Sequence, residues 1–421
     1  MANRNRTHSS GAANLGVAID IGTTTVVAHL TDMDTGARLA TASGANAQRA
    51  YGADVISRIK YSIKKGHEGL TKLIRDQIAS LISQACAASG ERTCDIREIS
   101  IAANTTMMHL AAGYSPAGMG AAPFAPASLF GFELPAWGGL PAAENAKVYY
   151  APAVSPFVGG DVTAGMLAAG LQSAPGPALY LDIGTNGEIA LKSGDRYYCC
   201  AAAAGPAFEG AEISMGMAAV GGAVSHVRWD GGLRLSVIGD QAPRGLCGSG
   251  LLDALAVLLE TGAVDNSGKL LDPDRIGHGI AEHITKIEGK NAFELEKGGG
   301  VYVTAADVRK LQLAKAAIAA GIQTLLRHAG IGEAQVGALG LAGGFGSFLD
   351  KSGAARVGLF PKGLLPVAGA LGNAAGEGAA LALRSGPARA ALEELRDSCE
   401  CVDLAADPVF NEQFVEQMKF D

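Results

Sequence analysis

Aromatic side chains make up only 5% of this chain, cysteines number seven in 421 residues, and neither a block of Lys and Arg nor a long uninterrupted apolar run is present. Each scarcity excludes something. An odd number of cysteines at irregular spacing rules out the paired framework of a small secreted protein. A net charge of −7 without a basic cluster offers no electrostatic footprint to nucleic acid or to an anionic membrane surface. The most apolar stretches, Val162 to Ile183 and Leu364 to Leu383, are broken by Gly, Pro or charge, so no membrane-spanning helix is expected. Residues 1–14 lack the apolar core of a signal peptide and read as a disordered leader, which makes the cytoplasm the expected location.

What is present is glycine, 58 residues of it, and a hydrophobic share of 48%. That composition suits tight turns and closely packed helices. The length is enough for two lobes, each with its own core. Two segments resemble each other. Gly16-Val17-Ala18-Ile19-Asp20-Ile21-Gly22-Thr23-Thr24-Thr25 and Ala178-Leu179-Tyr180-Leu181-Asp182-Ile183-Gly184-Thr185-Asn186-Gly187 each lead into a second apolar stretch. Each reads as a buried strand, a turn opened by Asp-Ile-Gly-Thr and a returning strand, so the fold is expected to be an internally duplicated α/β one.

Between and after the hairpins, helices are expected over Asp54 to Lys64, Glu68 to Ser89, Val162 to Leu171 and Gly245 to Gly262. Thr304 with Asp307 predicts a capping box for a further helix reaching Gly330. Tyr114 to Pro141 is rich in Pro and Gly and reads as an irregular excursion. Val336 to Leu341 reads as a strand running into Ala342-Gly343-Gly344-Phe345-Gly346, followed by a small-residue helix over Gly372 to Leu383 and a charged tail.

A turn written Asp-x-Gly-Thr has a chemical use. Glycine admits a phosphate close to the backbone, successive amides and hydroxyls donate to its oxygens, and the carboxylate faces a metal. Magnesium is typically held by one or two carboxylates together with phosphate oxygens. Two such turns can grip one triphosphate, with Gly22, Thr23, Thr24 and Thr25 from the first, Gly184, Thr185, Asn186 and Gly187 from the second, and Asp20 and Asp182 at the metal. The plainer reading of each copy is a tight hairpin; the recurrence favours the functional one. Gly343, Gly344 and Phe345 suit a nucleoside, since only glycine lets backbone lie against a flat base or ribose. Glu209 can touch ribose or metal, or be a surface carboxylate. Gly248 and Ser249 open a helix whose positive end suits a phosphate or ribose, with simple capping by Ser249 as the alternative.

The order of these segments resembles the superfamily of acetate and sugar kinases, Hsp70 and actin (ASKHA). This implies a duplicated RNase H-like, two-lobed ATPase fold of the actin/Hsp70 type, with lobes at residues 15–172 and 173–370. Residues 371–421 would form a helix returning to the first lobe plus a tail. In that superfamily Asp161, at the head of Asp161-Val162-Thr163-Ala164-Gly165, stands where an acidic residue orders the attacking water, and Gly376-Glu377-Gly378-Ala379-Ala380 matches the second connecting segment.

A narrower resemblance runs from Gly16 onward. Tyr51-Gly52-Ala53-Asp54-Val55-Ile56-Ser57-Arg58-Ile59, Asn104-Thr105-Thr106-Met107-Met108-His109-Leu110, Gly205-Pro206-Ala207-Phe208-Glu209-Gly210 and Gly245-Leu246-Cys247-Gly248-Ser249-Gly250 are similar to segments of the ATP-dependent reductive activators of corrinoid proteins. The resemblance implies ATP and Mg²⁺ as ligands and catalysis by Asp20, Asp161 and Asp182. It also implies a corrinoid protein as partner, restored from Co(II) to Co(I), and a homodimer stays open. These activators commonly carry an iron–sulfur domain ahead of this region. The cysteines here do not replace it, so no cluster is expected in this chain and electrons are expected from a separate ferredoxin-like donor. Cys199-Cys200 and Cys399-x-Cys401 are the close pairs, and small buried hydrophobes are the expected reading for all seven. His109 reads as a hydrogen-bonded core residue in preference to a metal ligand. A small-molecule kinase of the same fold and a nucleotide-sensing binding protein are the rival functions.

Overall fold

The computed structural model describes residues 13–346 and 349–420. The reading of residues 1–14 as a leader falls almost wholly outside them. The chain divides into two units. One runs to Ala168 and takes in Ala375–Asp397, and the other comprises Ala169–Ala374 with the residues from Ser398 onward.

The first unit is built on β1 (Leu15–Ile21), β2 (Thr25–Asp32), β3 (Arg38–Ala45), β4 (Ile96–Ala103), β5 (Phe132–Pro135) and β6 (Lys147–Tyr150). Their order in the sheet is β3-β2-β1-β4-β6-β5. β1 and β2 form the expected hairpin, with Asp20 opposite Val27. β1 also runs parallel to β4, which puts Asp20 beside Ala102. A strand covered on both faces should be apolar throughout, and β1 is buried along its whole length except at Asp20. Helix Val55–Lys65 is opened by a capping box between Asp54 and Ser57, and helix Glu68–Ser89 stops at a left-handed Gly90. The second of these helices presses Ile74, Ile78 and Leu81 into the same core as Val17, Ile19 and Ile101.

The excursion over Tyr114 to Pro141 is less irregular than expected. β5 lies within it and pairs antiparallel with β6, Leu134 opposite Val148. Four residues are too few for their alternation to stand out from the surrounding Pro and Gly. His109 organises the rest of this loop. Fully buried, its Nδ1 meets the Thr105 carbonyl at 2.7 Å, and Nε2 accepts from the amides of Ala127 at 3.0 Å and Ser128 at 3.3 Å. Both ring nitrogens are thus engaged, and burial lowers the pKa of the ring. His109 is the core residue the sequence suggested.

The second unit repeats the plan. β7 (Ala178–Ile183), β8 (Gly187–Ser193) and β9 (Arg196–Ala202) form its meander. Two three-stranded sheets follow, one of β10 (Ala223–Trp229), β11 (Leu233–Val237) and β12 (Gly245–Leu246), the other of β13 (Ile284–Ile287), β14 (Lys290–Glu294) and β15 (Tyr302–Thr304). β16 (Ala338–Ala342), β17 (Ala368–Gly372) and β18 (Cys399–Cys401) complete the main sheet, in the order β17-β16-β7-β8-β9-β18. In both units an antiparallel meander is extended on the side of its first strand, by three strands in the first unit and two in the second, with the nearest one parallel to it. This is the duplicated α/β architecture expected of the ASKHA fold.

Helix Ala305–His328 opens with the expected capping box of Thr304 and Asp307 and buries Val308, Leu311, Ile318 and Ile322. The small-residue helix spans Ala374–Arg384, because Gly372 closes β17, pairing with Ala342 at a φ of 70°. The charged tail is structured. Helix Gly386–Ser398 is tied to the first unit's sheet by Arg389, which reaches Glu98 and Glu133 at 2.5 Å each and stacks over Tyr149. Beyond it, β18 and helix Pro408–Glu416 belong to the second unit. No helix among the described residues is long and apolar enough to cross a membrane.

Candidate functional site

In the first unit the turn after Asp20 is closed by the Gly22 amide donating to the Thr25 carbonyl at 2.9 Å. A methyl on Gly22 would come 2.8 Å from that same oxygen, so glycine is what lets the turn be this tight. Three side chains from outside the hairpin hold it. Asn46 donates to the Gly22 carbonyl at 2.8 Å, and Asn104 donates to the Thr23 hydroxyl at 3.2 Å. Arg58, with no exposed surface, donates to the Thr23 carbonyl at 2.6 Å and to the Gly52 carbonyl at 3.0 Å. Burial pulls its guanidinium down to about 10, still charged at neutral pH. Thr23 and Thr24 stay partly exposed and Thr25 is exposed, so the face of the turn is open.

Asp161 lies in the first turn of helix Gly160–Ala168, where its Oδ1 accepts from the Val162 amide at 2.9 Å. It comes close to the same neighbourhood. A methyl on Gly159 would meet both Asp161 Oδ1, at 2.7 Å, and the Ala103 carbonyl, at 2.6 Å, and Ala103 pairs with Ile21 at the end of β1. Asp20, Thr23, Asn104 and Asp161 therefore gather at one end of the first unit's sheet.

The second unit brings together most of the remaining candidates. Asp182 Oδ2 accepts from the Tyr180 hydroxyl at 3.0 Å. Burial raises its carboxyl pKa, and that hydrogen bond offsets part of the rise. Gly343 begins the short helix after β16 at a φ of 89°, and a methyl there would lie 2.6 Å from Asp182 Oδ1 and 2.5 Å from the Ile183 carbonyl. Thr185 donates to Glu209 at 2.6 Å, which joins the turn to the Pro206–Glu209 segment and shows Glu209 to be more than a surface carboxylate. The neighbouring Phe208 stacks on Phe345 with ring centres 5.1 Å apart. Gly248 lies against both residues, and a side chain there would run into the Phe208 carbonyl and the Phe345 ring.

Two candidates have other tasks. Gly187 is buried, and a methyl there would press 2.6 Å from Ile318, so close packing against helix Ala305–His328 accounts for it. Ser249 is buried and donates to the Ser225 carbonyl at 2.8 Å, while the helix N-cap is Cys247. Simple capping by Ser249 does not occur. Sequence reasoning missed Arg58, Asn46 and Asn104 as supports of the first turn. Two of them stood inside segments singled out for their resemblance, which was the available signal.

The reading of every cysteine as a small buried hydrophobe also needs correction. Cys94 and Cys401 are exposed and Cys399 is partly so. Cys94 sits in the Thr93–Asp95 turn with its sulfur accepting from Arg92 at 2.8 Å, and β18 is an edge strand that leaves Cys401 open.

A carboxylate sheltered from water beside the hydroxyls, amides and glycines of a turn is a donor set that fits a polyphosphate with a divalent cation. Residues 15–174 match the RACo middle region, and residues 176–421 match the C-terminal domain of RACo, the ASKHA domain. The corrinoid activation enzyme RamQ of Eubacterium limosum is 36% identical over 96% of this chain and 70% of its own. The [Co(II) methylated amine-specific corrinoid protein] reductase of Methanosarcina barkeri is 27% identical over 82% of this chain and 66% of its own. A solved reductive activator for corrinoid, iron–sulfur protein superposes with a TM-score of 0.87 at 36% identity, covering 98% of this chain and 67% of that one. The chain thus spans roughly two thirds of the length of the relatives it matches. With both its regions matched in order and its duplicated sheets in place, the chain belongs to the RACo family of ASKHA-domain corrinoid activators.

Proposed function

We propose that this chain binds ATP with Mg²⁺ and uses its turnover to drive reduction of a Co(II) corrinoid protein to Co(I). The observation that carries this reading is the pair of Asp-Ile-Gly-Thr turns, one per unit, in a chain 36% identical to a corrinoid activation enzyme over 96% of its length. Asp20 and Asp182 would hold the metal, with phosphate oxygens received by Gly22, Thr23, Thr24 and Thr25 and by Gly184, Thr185 and Asn186. Gly343, Gly344 and Phe345 would face the nucleoside. Asp161 would orient the attacking water, the role an acid at a helix start can fill without itself bonding the phosphate. The work of these groups is positioning and charge neutralisation, which dominates phosphoryl transfer.

Electrons would come from a ferredoxin-like donor. A ligand shifts a conformational equilibrium only by its differential affinity for the two states, and about 5.5 kcal/mol carries one from 1:99 to 99:1. Charge-assisted phosphate contacts made in one state only are of a size to supply it.

The test is direct. Pure protein is mixed with Mg–ATP, a reduced ferredoxin and a Co(II) corrinoid protein, and Co(I) is followed by absorbance. ATP-dependent appearance of Co(I) supports the reading. ATP consumed into a phosphorylated small metabolite, with cobalt unchanged across corrinoid proteins, overturns it in favour of a kinase.

A further inference from the structure

Three cysteines that the sequence scatters are neighbours at the outer edge of the second unit's main sheet. β18 pairs in parallel with β9, Cys399 opposite Tyr197 and Cys401 opposite Cys199. The Val402 amide donates to the Cys199 carbonyl at 2.8 Å, fixing the register just past that pair. Alternate residues of a strand share a face, so Cys399 and Cys401 stand on the face that carries Cys199. The Cys199 thiol lies within hydrogen-bonding reach of both. Cys200 points the other way, into the core, where its sulfur would lie 3.6 Å from a methyl on Gly321.

The three differ in access. Cys199 is fully buried, Cys399 is partly exposed and Cys401 is exposed. An open thiol beside a sheltered one is the arrangement of an attacking and a resolving cysteine. Paired residues on adjacent strands sit about 5 Å apart, inside the separation of roughly 4.4–6.8 Å that a disulfide spans between Cα atoms. Among the described residues no group of three His, Cys, Asp or Glu is arranged to hold a metal ion, which favours thiol chemistry over metal ligation.

We propose that Cys199, Cys399 and Cys401 form a thiol–disulfide exchange site, in which a small organic disulfide converts Cys199 and Cys401 to an intrachain disulfide. The Cys401 thiolate attacks one sulfur of the reagent, breaking its S–S bond and releasing one thiol. Cys199 then gives up its proton, and its sulfur attacks the Cys401 sulfur of the mixed disulfide, releasing the second thiol. Two protein thiols are oxidised and one organic disulfide is reduced to two thiols. The neighbouring sulfurs of Cys399 and Cys401, and then burial, keep Cys199 protonated beyond the usual thiol range, which leaves the first attack to Cys401. Cys399 holds the Cys199 thiol in place and is not itself joined. The product staples β18, the first segment of the tail to rejoin the second unit, to β9.

The test uses the whole chain carrying Cys94→Ser, which removes the other exposed thiol. The protein is treated with oxidised glutathione, trapped in acid, digested without reduction and mapped by mass spectrometry. The expected result is loss of two titratable thiols and a peptide joining Cys199 to Cys401. C399S should keep that link, C199S should stop with glutathione on Cys401, and C401S should leave the site unmodified. A glutathione adduct that persists on Cys401 with no link to Cys199, a link between Cys399 and Cys401, or no reaction at any of the three overturns the proposal.

Discussion

The two Asp-Ile-Gly-Thr turns are nearly the same in sequence and are held in opposite ways. The Asp20 turn rests on a polar scaffold in which buried Arg58 and two asparagines reach its carbonyls and hydroxyl. The Asp182 turn rests on tighter packing. Gly343 closes against its carboxylate, Tyr180 and Glu209 each supply one hydrogen bond, and two stacked phenylalanines stand behind Glu209. A motif duplicated within one chain thus conserves the atoms offered to a ligand and lets the support diverge. Polar scaffolds fail by leaving groups unsatisfied, and packed ones fail by steric overlap.

The largest test of that contrast removes what the turns share. Asp20→Ala and Asp182→Ala should each lower ATP turnover by about a hundredfold or more, with circular dichroism unchanged. Normal hydrolysis by both variants would show that the turns are hairpins only. The next separates the supports. Arg58→Met should destabilise the first unit by about 3 kcal/mol, because the Thr23 and Gly52 carbonyls lose their buried donor. Urea unfolding followed at Trp137, in the protein carrying Trp229→Phe, reads this. An equal change at Trp229, followed in the protein that carries Trp137→Phe instead, would mean that Arg58 does not act locally.

Protonation sharpens the comparison further, since the units respond to pH with opposite sign. Burial lowers His29 in the first unit from 6.5 to about 4. At pH above 6.5 it is neutral folded or unfolded. Between 6.5 and 4 only the unfolded chain takes the proton, so stability falls with falling pH, by at most about 3 kcal/mol. In the second unit burial holds the Asp182 carboxyl above its usual range. The unfolded chain therefore ionises first as pH climbs past 3.8, and this contribution to stability diminishes with rising pH until the folded carboxyl has ionised as well. The expected outcome is that His29→Gln flattens the acid limb of the Trp137 transition and leaves that of Trp229 in place. The smallest effect is that of Thr185→Val, about 1 kcal/mol on ATP binding by calorimetry, through loss of the hold on Glu209. The matching change Thr23→Val should cost a similar amount through Asn104.

The features legible in the sequence were local ones. Asp20 and Asp182 open turns because Gly22 and Gly184 follow two residues later, and Thr304 caps a helix because Asp307 lies within its first turn. The final residues before the tail helices read correctly as small and helical for the same reason. The illegible features join distant segments. Nothing near residue 58 says that its guanidinium will reach a carbonyl at residue 23, and nothing near residue 401 names Cys199 as its partner. β13 and β14 were also missed, since Thr285, Lys286, Lys290 and Asn291 give weak apolar alternation and only their cross-strand pairing makes them strands. Arg389 explains the tail helix in the same way, through Glu98 and Glu133 far back in the chain.

Gly378 carries a consequence for how the chain is threaded. Its helix, Ala374–Arg384, begins where the backbone re-enters the first unit, and it lies directly on Ala164 of helix Gly160–Ala168, where the backbone is about to leave. A methyl at Gly378 would collide with the Ala164 carbonyl and Cα. Departure and return are therefore moored at one knot, and a single added carbon would loosen both strands of the tether together.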